Sequence, residues 1–166
     1  SVAMTAVSTG TLALVARHVG ARQRREAEHI LGQSILTALV LSLLCITPVI
    51  VWAPQCVGLF GVTPAVLAQG GPFVRLVMLS IPQSAVLFVI GSALRAAGDT
   101  RTPLGIGFVV NVINIVGNYL LIFGKLGLPA LGVRGSALAT TLAFTTGTLI
   151  GLTLLLRGHL VLRAAF

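Results

Sequence analysis

The chain has 166 residues, of which 56% are hydrophobic and only 8% are charged. Its 11 Lys and Arg outnumber its 3 Asp and Glu, which gives a formal net charge of +8. In a soluble domain this excess would suggest nucleic-acid binding. Here the basic residues cluster at the ends of uncharged stretches, so membrane topology explains them better and no nucleic-acid partner is expected.

Four long stretches contain no Lys, Arg, Asp or Glu. They are residues 30–74, 76–94, 102–124 and 135–156. A bilayer core about 30 Å thick needs roughly 20 apolar residues in a helix, whereas a helix of a soluble domain needs a polar face. The sequence therefore predicts an all-α fold, a polytopic bundle of transmembrane helices whose first partner is the lipid bilayer.

The first two predicted spans are residues 1–16 and 30–53. The first span is apolar from its first residue and lacks the basic start of a signal peptide, so we interpret it as the second half of a helix. A charged loop, residues 17–29, follows it. The second span ends near Trp52, a residue type that anchors helices at the membrane–water boundary.

The third predicted span, residues 64–94, begins at Thr63-Pro64, where an N-cap residue is followed by proline. A straight helix of this length would reach about 46 Å, which exceeds a bilayer core. Pro72, which follows two glycines, is therefore predicted to break or kink the helix, and Pro82 is predicted to kink it again near mid-membrane.

The fourth predicted span, residues 103–124, begins with the same signal at Thr102-Pro103, and the fifth covers residues 135–156. Five spans leave most of the basic residues on one side, which the positive-inside rule makes cytoplasmic. An odd number of helices, most simply one, is then expected to precede the chain. The cytoplasmic set is Arg17, Arg22, Arg24, Arg25, Arg95, Arg101, Arg157 and Arg163, and the opposite set is Arg75, Lys125 and Arg134.

Polar side chains within the spans are the candidates for function. Asn111, Asn114 and Asn118 are three and four residues apart, so they lie on one face of the fourth span. Amides that face lipid are costly. These three either line a cavity that binds substrate or a cation, or join helices by hydrogen bonds. Gln83, beside the Pro82 kink, is a further candidate.

The fifth span is rich in threonine and glycine. Threonine hydroxyls can bond to a carbonyl of their own helix, and Gly147 and Gly151 have the spacing of closely packed helices. Packing is the preferred interpretation for most of these residues. The threonines are Thr140, Thr141, Thr145, Thr146 and Thr148.

Several classes of site are not expected. The spans contain no acidic residue, although a proton- or sodium-coupled carrier normally needs a carboxylate at depth. Cys45 and Cys56 have no metal-like spacing, so we interpret both as small apolar residues. The chain has no nucleotide-binding loop, paired histidines or nucleophile with a base, and an enzyme is not expected.

Four segments resemble the multidrug and toxic compound extrusion (MATE) family. The sequence LRAAGDTRTP of residues 94–103 resembles the loop between that family's fourth and fifth helices. Residues 114–124 resemble its fifth helix, residues 128–140 its connector into the sixth, and residues 20–22 the loop after its second. The resemblance implies helices two (in part) to six, the N-terminal lobe of a twelve-helix carrier. Such carriers exchange cytoplasmic drugs or toxic organic cations for protons or sodium ions. We expect this chain to lie in a bacterial-type plasma (inner) membrane.

The resemblance also implies roles for individual residues. Asn114 matches an asparagine of one branch of the family, and Asn118 stands where that branch has an ion-coupling aspartate. Thr140 matches a threonine near the same polar cluster. No cofactor is implied beyond the coupling ion, H+ or Na+, and the expected acidic residue lies on a first helix outside the chain.

The loop that carries the resemblance has a simple physical interpretation. Gly98-Asp99 forms a turn, Thr102-Pro103 starts the next helix, and the arginines hold the loop at anionic headgroups. We therefore expect structural or gating roles rather than substrate binding. The residues concerned are Arg95, Gly98, Asp99, Arg101 and Pro103.

Three functions remain open at this point. The favoured one is a cation-coupled antiporter that works by alternating access, with the missing first helix and C-terminal lobe as partners. A lipid-linked oligosaccharide flippase of related fold is the runner-up, although no basic residue at mid-depth would hold a phosphate. A non-transporting membrane scaffold or truncated product is the third.

Overall fold

The computed structural model describes residues 2–52, 55, 64–125 and 129–157, without the side chains of residues 2–4 and 64–69. These residues form α-helices and connecting turns, with no strand among them. Cys56, Thr63, Arg163 and residues 53–54 and 126–128, which enter the predictions above, lie outside the described residues. The helices are α1 (Val2–Gly20), α2 (Arg24–Val51), α3 (Pro64–Met78), α4 (Ile81–Ala96), α5 (Arg101–Phe123) and α6 (Val133–Leu156).

The charged segment between the first two spans is mostly helical, so its prediction as a loop of residues 17–29 is wrong. Arg, Glu and Ala are good helix formers, and only residues 21–23 form the turn. Arg22 closes this turn with a φ of +59°, in the left-handed region. The backbone N–H of Gln23 donates to the His18 carbonyl at 2.9 Å.

The third predicted span consists of two helices. The break lies at residues 79–80, whereas Pro72 lies inside α3, which continues through it. Of the two outcomes expected at Pro72, a break or a kink, the break is therefore wrong. Pro82 lies in the first turn of α4. Because proline has no N–H, it cannot bond to the carbonyl of residue 78, and the helical ladder stops there.

The last two helices begin two residues earlier than predicted, at Arg101 and Val133. Gly124 ends α5 with a φ of +65°, a left-handed conformation that glycine adopts without a Cβ penalty. Leu156 ends α6 as expected. The most extensive helix contact joins α5 and α6, while α4 packs against α1, α2 and α6 and only lightly against α5.

Much of the outer surface is apolar. Leu104 is 75% exposed, Phe108 69% and Ile115 68%, whereas the main core between α1, α2 and α4 is small and includes Leu31 and Leu94. Four helical segments among the described residues are long and apolar enough to cross a membrane. The chain is an integral membrane protein. The four segments are Arg24–Val51, Gly70–Ala96, Arg101–Phe123 and Val133–Leu156.

Candidate ion and substrate site

Glycines bring α5 and α6 into close contact. A Cβ at Gly135 would lie 2.5 Å from the Leu121 carbonyl oxygen, and one at Gly117 would lie 3.0 Å from the Ala139 Cβ. Real Cβ atoms do not approach a backbone oxygen so closely, so only hydrogen fits at Gly135. The small residues thereby set a helix separation at which short polar side chains can meet.

Asn114, Asn118 and Thr140 meet at this contact and form the α5–α6 polar cluster. Asn118 Nδ2 donates to Asn114 Oδ1 at 2.9 Å, and Asn114 Nδ2 donates to Thr140 Oγ1 at 3.1 Å. All three residues are half-buried. The sequence left open whether the asparagines bind a ligand or join helices. The bond from Asn114 to Thr140 joins α5 to α6, whereas the bond from Asn118 to Asn114 lies within α5.

One buried atom of the cluster takes part in neither of these hydrogen bonds. Asn118 Oδ1 is buried and, within the described chain, has no hydrogen-bond partner. A buried carbonyl oxygen without a partner costs about 1–3 kcal/mol. It can accept a hydrogen bond or contribute an oxygen ligand to a cation. An amide does not titrate near neutral pH, so the atom can help to coordinate an ion but cannot carry a proton.

Asn111 lies outside this cluster. It is exposed, and its Nδ2 donates to the Gly107 carbonyl of its own helix at 2.9 Å. It instead lines a groove of about 250 Å³ that also includes Arg95 and Pro103. The predicted stripe of three asparagines is therefore divided between two environments.

Gln83 lies at the contact between α4 and α6. Its backbone carbonyl accepts a hydrogen bond from Thr148 Oγ1 at 2.8 Å, and its side-chain Oε1 is buried without a partner in the described residues. The single O–H of Thr141 is shared: its Oγ1 lies 2.9 Å from the Ala137 carbonyl of its own helix and 3.3 Å from the Leu76 carbonyl of α3. These two interhelical bonds were not predicted. Thr145, by contrast, bonds only to its own helix, as expected.

The loop before α5 has a different cap from the predicted one. Asp99 Oδ1 accepts the Thr102 backbone N–H at 3.0 Å, so Asp99 is the capping residue and Thr102 lies within the helix. This bond, together with one from the Thr102 hydroxyl, lowers the pKa of the Asp99 carboxyl. Gly98 makes the preceding turn with a φ of +88°. Arg101 is exposed at the helix start.

Comparison of the sequence with models of protein families shows which family the chain belongs to. The MatE model matches residues 1–120. The chain belongs to the MatE family. The resemblance drawn from the four sequence segments is thereby confirmed, and so is the all-helical membrane fold.

Individual MatE relatives are similar over most of this chain. "Uncharacterized transporter YisQ" of Bacillus subtilis is 30% identical over 142 residues, which is 85% of this chain and 31% of that protein. "Probable multidrug resistance protein NorM" of Thermotoga maritima is 28% identical over 149 residues, or 88% of this chain and 32% of that protein. The chain therefore spans about a third of the length of these curated relatives.

Solved MATE structures share the fold. The crystal structure of MATE in complex with MaL6 superposes with a TM-score of 0.89 at 20% identity, covering 98% of this chain and 36% of that one. The inward-facing conformation of a multidrug resistance MATE family transporter gives a TM-score of 0.82 at 22% identity, covering 92% of this chain and 34% of that one. At such identities the likeness concerns the fold alone.

Proposed function

We propose that the chain is the N-terminal lobe, in part, of an ion-coupled exporter of drugs or toxic organic cations. Membership of the MatE family supports this proposal, as does the similarity to relatives described as multidrug resistance proteins. The complete carrier would add a first helix and a second lobe. It would work in a bacterial-type plasma membrane, without a cofactor, by alternating access of a central cavity to the two sides.

The observation that carries the proposal is the buried Asn118 Oδ1 at the end of a hydrogen-bonded chain. The Asn114 and Thr140 bonds hold the Asn118 amide in one orientation, while its oxygen stays without a partner in the described residues. A fixed oxygen of this kind can contribute to binding of Na+. For H+ coupling, a titratable group elsewhere would have to carry the proton, because an amide does not.

The remaining predicted residues serve the conformational change. Pro82, directly after the break between α3 and α4, would let this membrane crossing bend. Arg95, Gly98, Asp99, Arg101 and Pro103 would form the cytoplasmic turn about which α4 and α5 are joined, and Gln83 would line or brace the cavity. Among the described residues, α4 and α5 share little direct contact, so we place the movement at this turn.

The test is dye efflux from cells that express the intact protein from its complete reading frame, with sodium and proton gradients collapsed separately. We expect efflux to depend on one gradient and to fall in Asn118→Ala, Asn114→Ala and Thr140→Val. Thr146→Val is the matched control, because Thr146 lies on the same helix but bonds to its own Leu142 carbonyl at 2.9 Å.

The outcomes separate the candidate functions. Gradient-dependent efflux that survives all three cluster variants would leave the cluster as packing and assign the coupling to other parts of the carrier. Absence of efflux for every cation tested would favour the flippase or scaffold. An effect of Thr146→Val as large as that of Thr140→Val would mean that the assay reports stability rather than ion coupling.

A further inference from the structure

The Arg95 side chain folds back along α4, away from the helix end that carries it. Its Nη2 donates to Ser92 Oγ at 3.1 Å, and its Nη1 lies 3.2 Å from the position that a Cβ would take at Gly91. The guanidinium therefore lies about one helical turn, roughly 5 Å, nearer the membrane interior than its own backbone. Side chains on a helix lean toward its N-terminus, and Arg95 remains exposed, so its guanidinium is accessible to a ligand.

Arg95 is among the residues that line an amphipathic groove of about 440 Å³ between α1 and α4. The volume is within the range of small-molecule sites, about 300–1,000 Å³. Hydroxyl groups from both helices provide the polar part, and two apolar side chains, each at least 40% exposed, provide the rest. The hydroxyls belong to Thr5, Ser8, Thr9 and Ser92, and the apolar residues are Leu12 and Phe88.

The Arg95 charge has no carboxylate beside it in the described part of the chain. The ion pair found there joins Arg24 to Glu28 at 3.2 Å, and Asp99 uses its Oδ1 to cap α5. A guanidinium has five N–H donors, of which Ser92 takes one. The groove therefore combines spare donors and a positive charge with hydroxyl groups and apolar side chains in its lining, a combination that matches an anionic headgroup attached to an apolar chain.

We propose that Arg95 and the hydroxyl groups of the same groove bind the phosphate or carboxylate headgroup of an amphiphile, whose apolar chain lies against Leu12 and Phe88. Either a membrane phospholipid or a transported amphiphile can supply this headgroup. The site is separate from the α5–α6 polar cluster. It does not depend on ion-coupled export, because binding can be measured without transport.

The test uses the intact protein in a non-ionic detergent, with dodecyl phosphate as the anionic probe and dodecyltrimethylammonium as the cationic probe of equal chain length. We expect the anionic probe to bind more tightly. Arg95→Gln should raise the Kd for dodecyl phosphate about tenfold, the loss expected for a charge-assisted hydrogen bond. Arg95→Lys should raise this Kd less. Arg157→Gln, an exposed arginine after α6, should leave the Kd unchanged.

A second variant keeps the test decisive if Arg95→Gln fails to fold. The double variant Ser8→Ala, Thr9→Ala removes hydroxyls on α1 without touching the cytoplasmic loop, and it should weaken binding about threefold. The proposal is overturned if the folded variants bind dodecyl phosphate as tightly as the wild type. It is equally overturned if Arg157→Gln loses as much affinity as Arg95→Gln.

Two measurements then distinguish the source of the headgroup. Native mass spectrometry of protein extracted from phosphatidylglycerol membranes should show a retained lipid that Arg95→Gln loses, if the ligand is a phospholipid. Arg95-dependent movement of a fluorescent anionic amphiphile across phosphatidylcholine vesicles identifies a transported molecule instead. Either result supports the site. Lipid retention does not require transport, so failure of the proposed export function would be recognised separately.

Discussion

The Leu121 carbonyl oxygen of α5 lies so close to Gly135 of α6 that a Cβ there would be 2.5 Å from it. The contact involves backbone on both helices, so neither side chain rotation nor a local rearrangement can relieve it. One turn away on α5, a Cβ at Gly117 would lie 3.0 Å from the Ala139 Cβ, a side-chain contact rather than a backbone one. These contacts hold Asn114 opposite Thr140.

Gly135→Ala is expected to destabilise the protein by about 1–3 kcal/mol, because the added methyl forces the two helices apart. Thermal unfolding of the intact protein in detergent measures the effect. Gly105→Ala, on α5 but with open space around it, is the control and should be neutral or slightly stabilising. Equal loss in both variants would contradict the importance of the close contact.

Thr148→Val should cost about 0.6 kcal/mol and at most about 1.7 kcal/mol, the range for interhelical hydrogen bonds in membranes. Valine preserves the shape of threonine but cannot donate to the Gln83 carbonyl. The matched control is Thr146→Val, because that hydroxyl bonds only within its own helix. Unfolding in a graded SDS series compares the two, and a smaller loss at Thr148 than at Thr146 would refute the prediction.

The cap at Asp99 should fail in acid. Because the folded pKa of Asp99 is lowered, its contribution to stability is complete above the ordinary carboxyl pKa of about 4 and is lost as the pH falls through the folded value. Asp99→Ala should cost about 1 kcal/mol at neutral pH. Asp99→Asn should retain the cap without its pH dependence. Hydrogen exchange at the Thr102 amide between pH 7 and pH 3 measures this, and identical profiles in wild type and Asp99→Asn would contradict it.

Arg22→Gly is expected to stabilise the turn between α1 and α2 by about 0.5–1 kcal/mol. The left-handed conformation of Arg22 costs a residue with a Cβ roughly 1–2 kcal/mol, part of which is offset by the larger backbone entropy of unfolded glycine. Ala21→Gly, which has a negative φ, is the control and should destabilise. A lower melting temperature for Arg22→Gly than for the wild type would show that the side chain contributes more than the strain costs.

The membrane spans and their order could be predicted from sequence because long charge-free stretches are a local signal. The exact residues at which helices begin and end were less predictable. The charged turn at residues 21–23 is only three residues long because Arg and Glu extend helices as readily as they form loops. Pro72 and Pro82 carry the same local signal, and only the surrounding packing decides which of them lies beside a break.

The candidate site was predictable only in part. Spacing placed Asn114 and Asn118 on one face, but it could not show that Asn111 bonds to its own helix while Asn114 bonds across to α6. The α5–α6 contact extends past Asn111, since a Cβ at Gly147 would meet the Val110 and Ile106 side chains, so the difference depends on which side of α5 each amide occupies. The same limit applies to the threonines, since identical residues on α6 face either a neighbouring carbonyl or their own helix.

The break between α3 and α4 is bridged from outside by α6. Thr141 bonds to Leu76 before the break, and Thr148, about two turns along α6, bonds to Gln83 after it. The α6 helix thus connects the two halves through one full hydrogen bond, from Thr148, worth about 0.6 kcal/mol in a membrane, and through a weaker one from the shared Thr141 hydroxyl. Bonds this weak can favour one angle between α3 and α4. Breaking them costs only about twice the thermal energy, so the angle can still change.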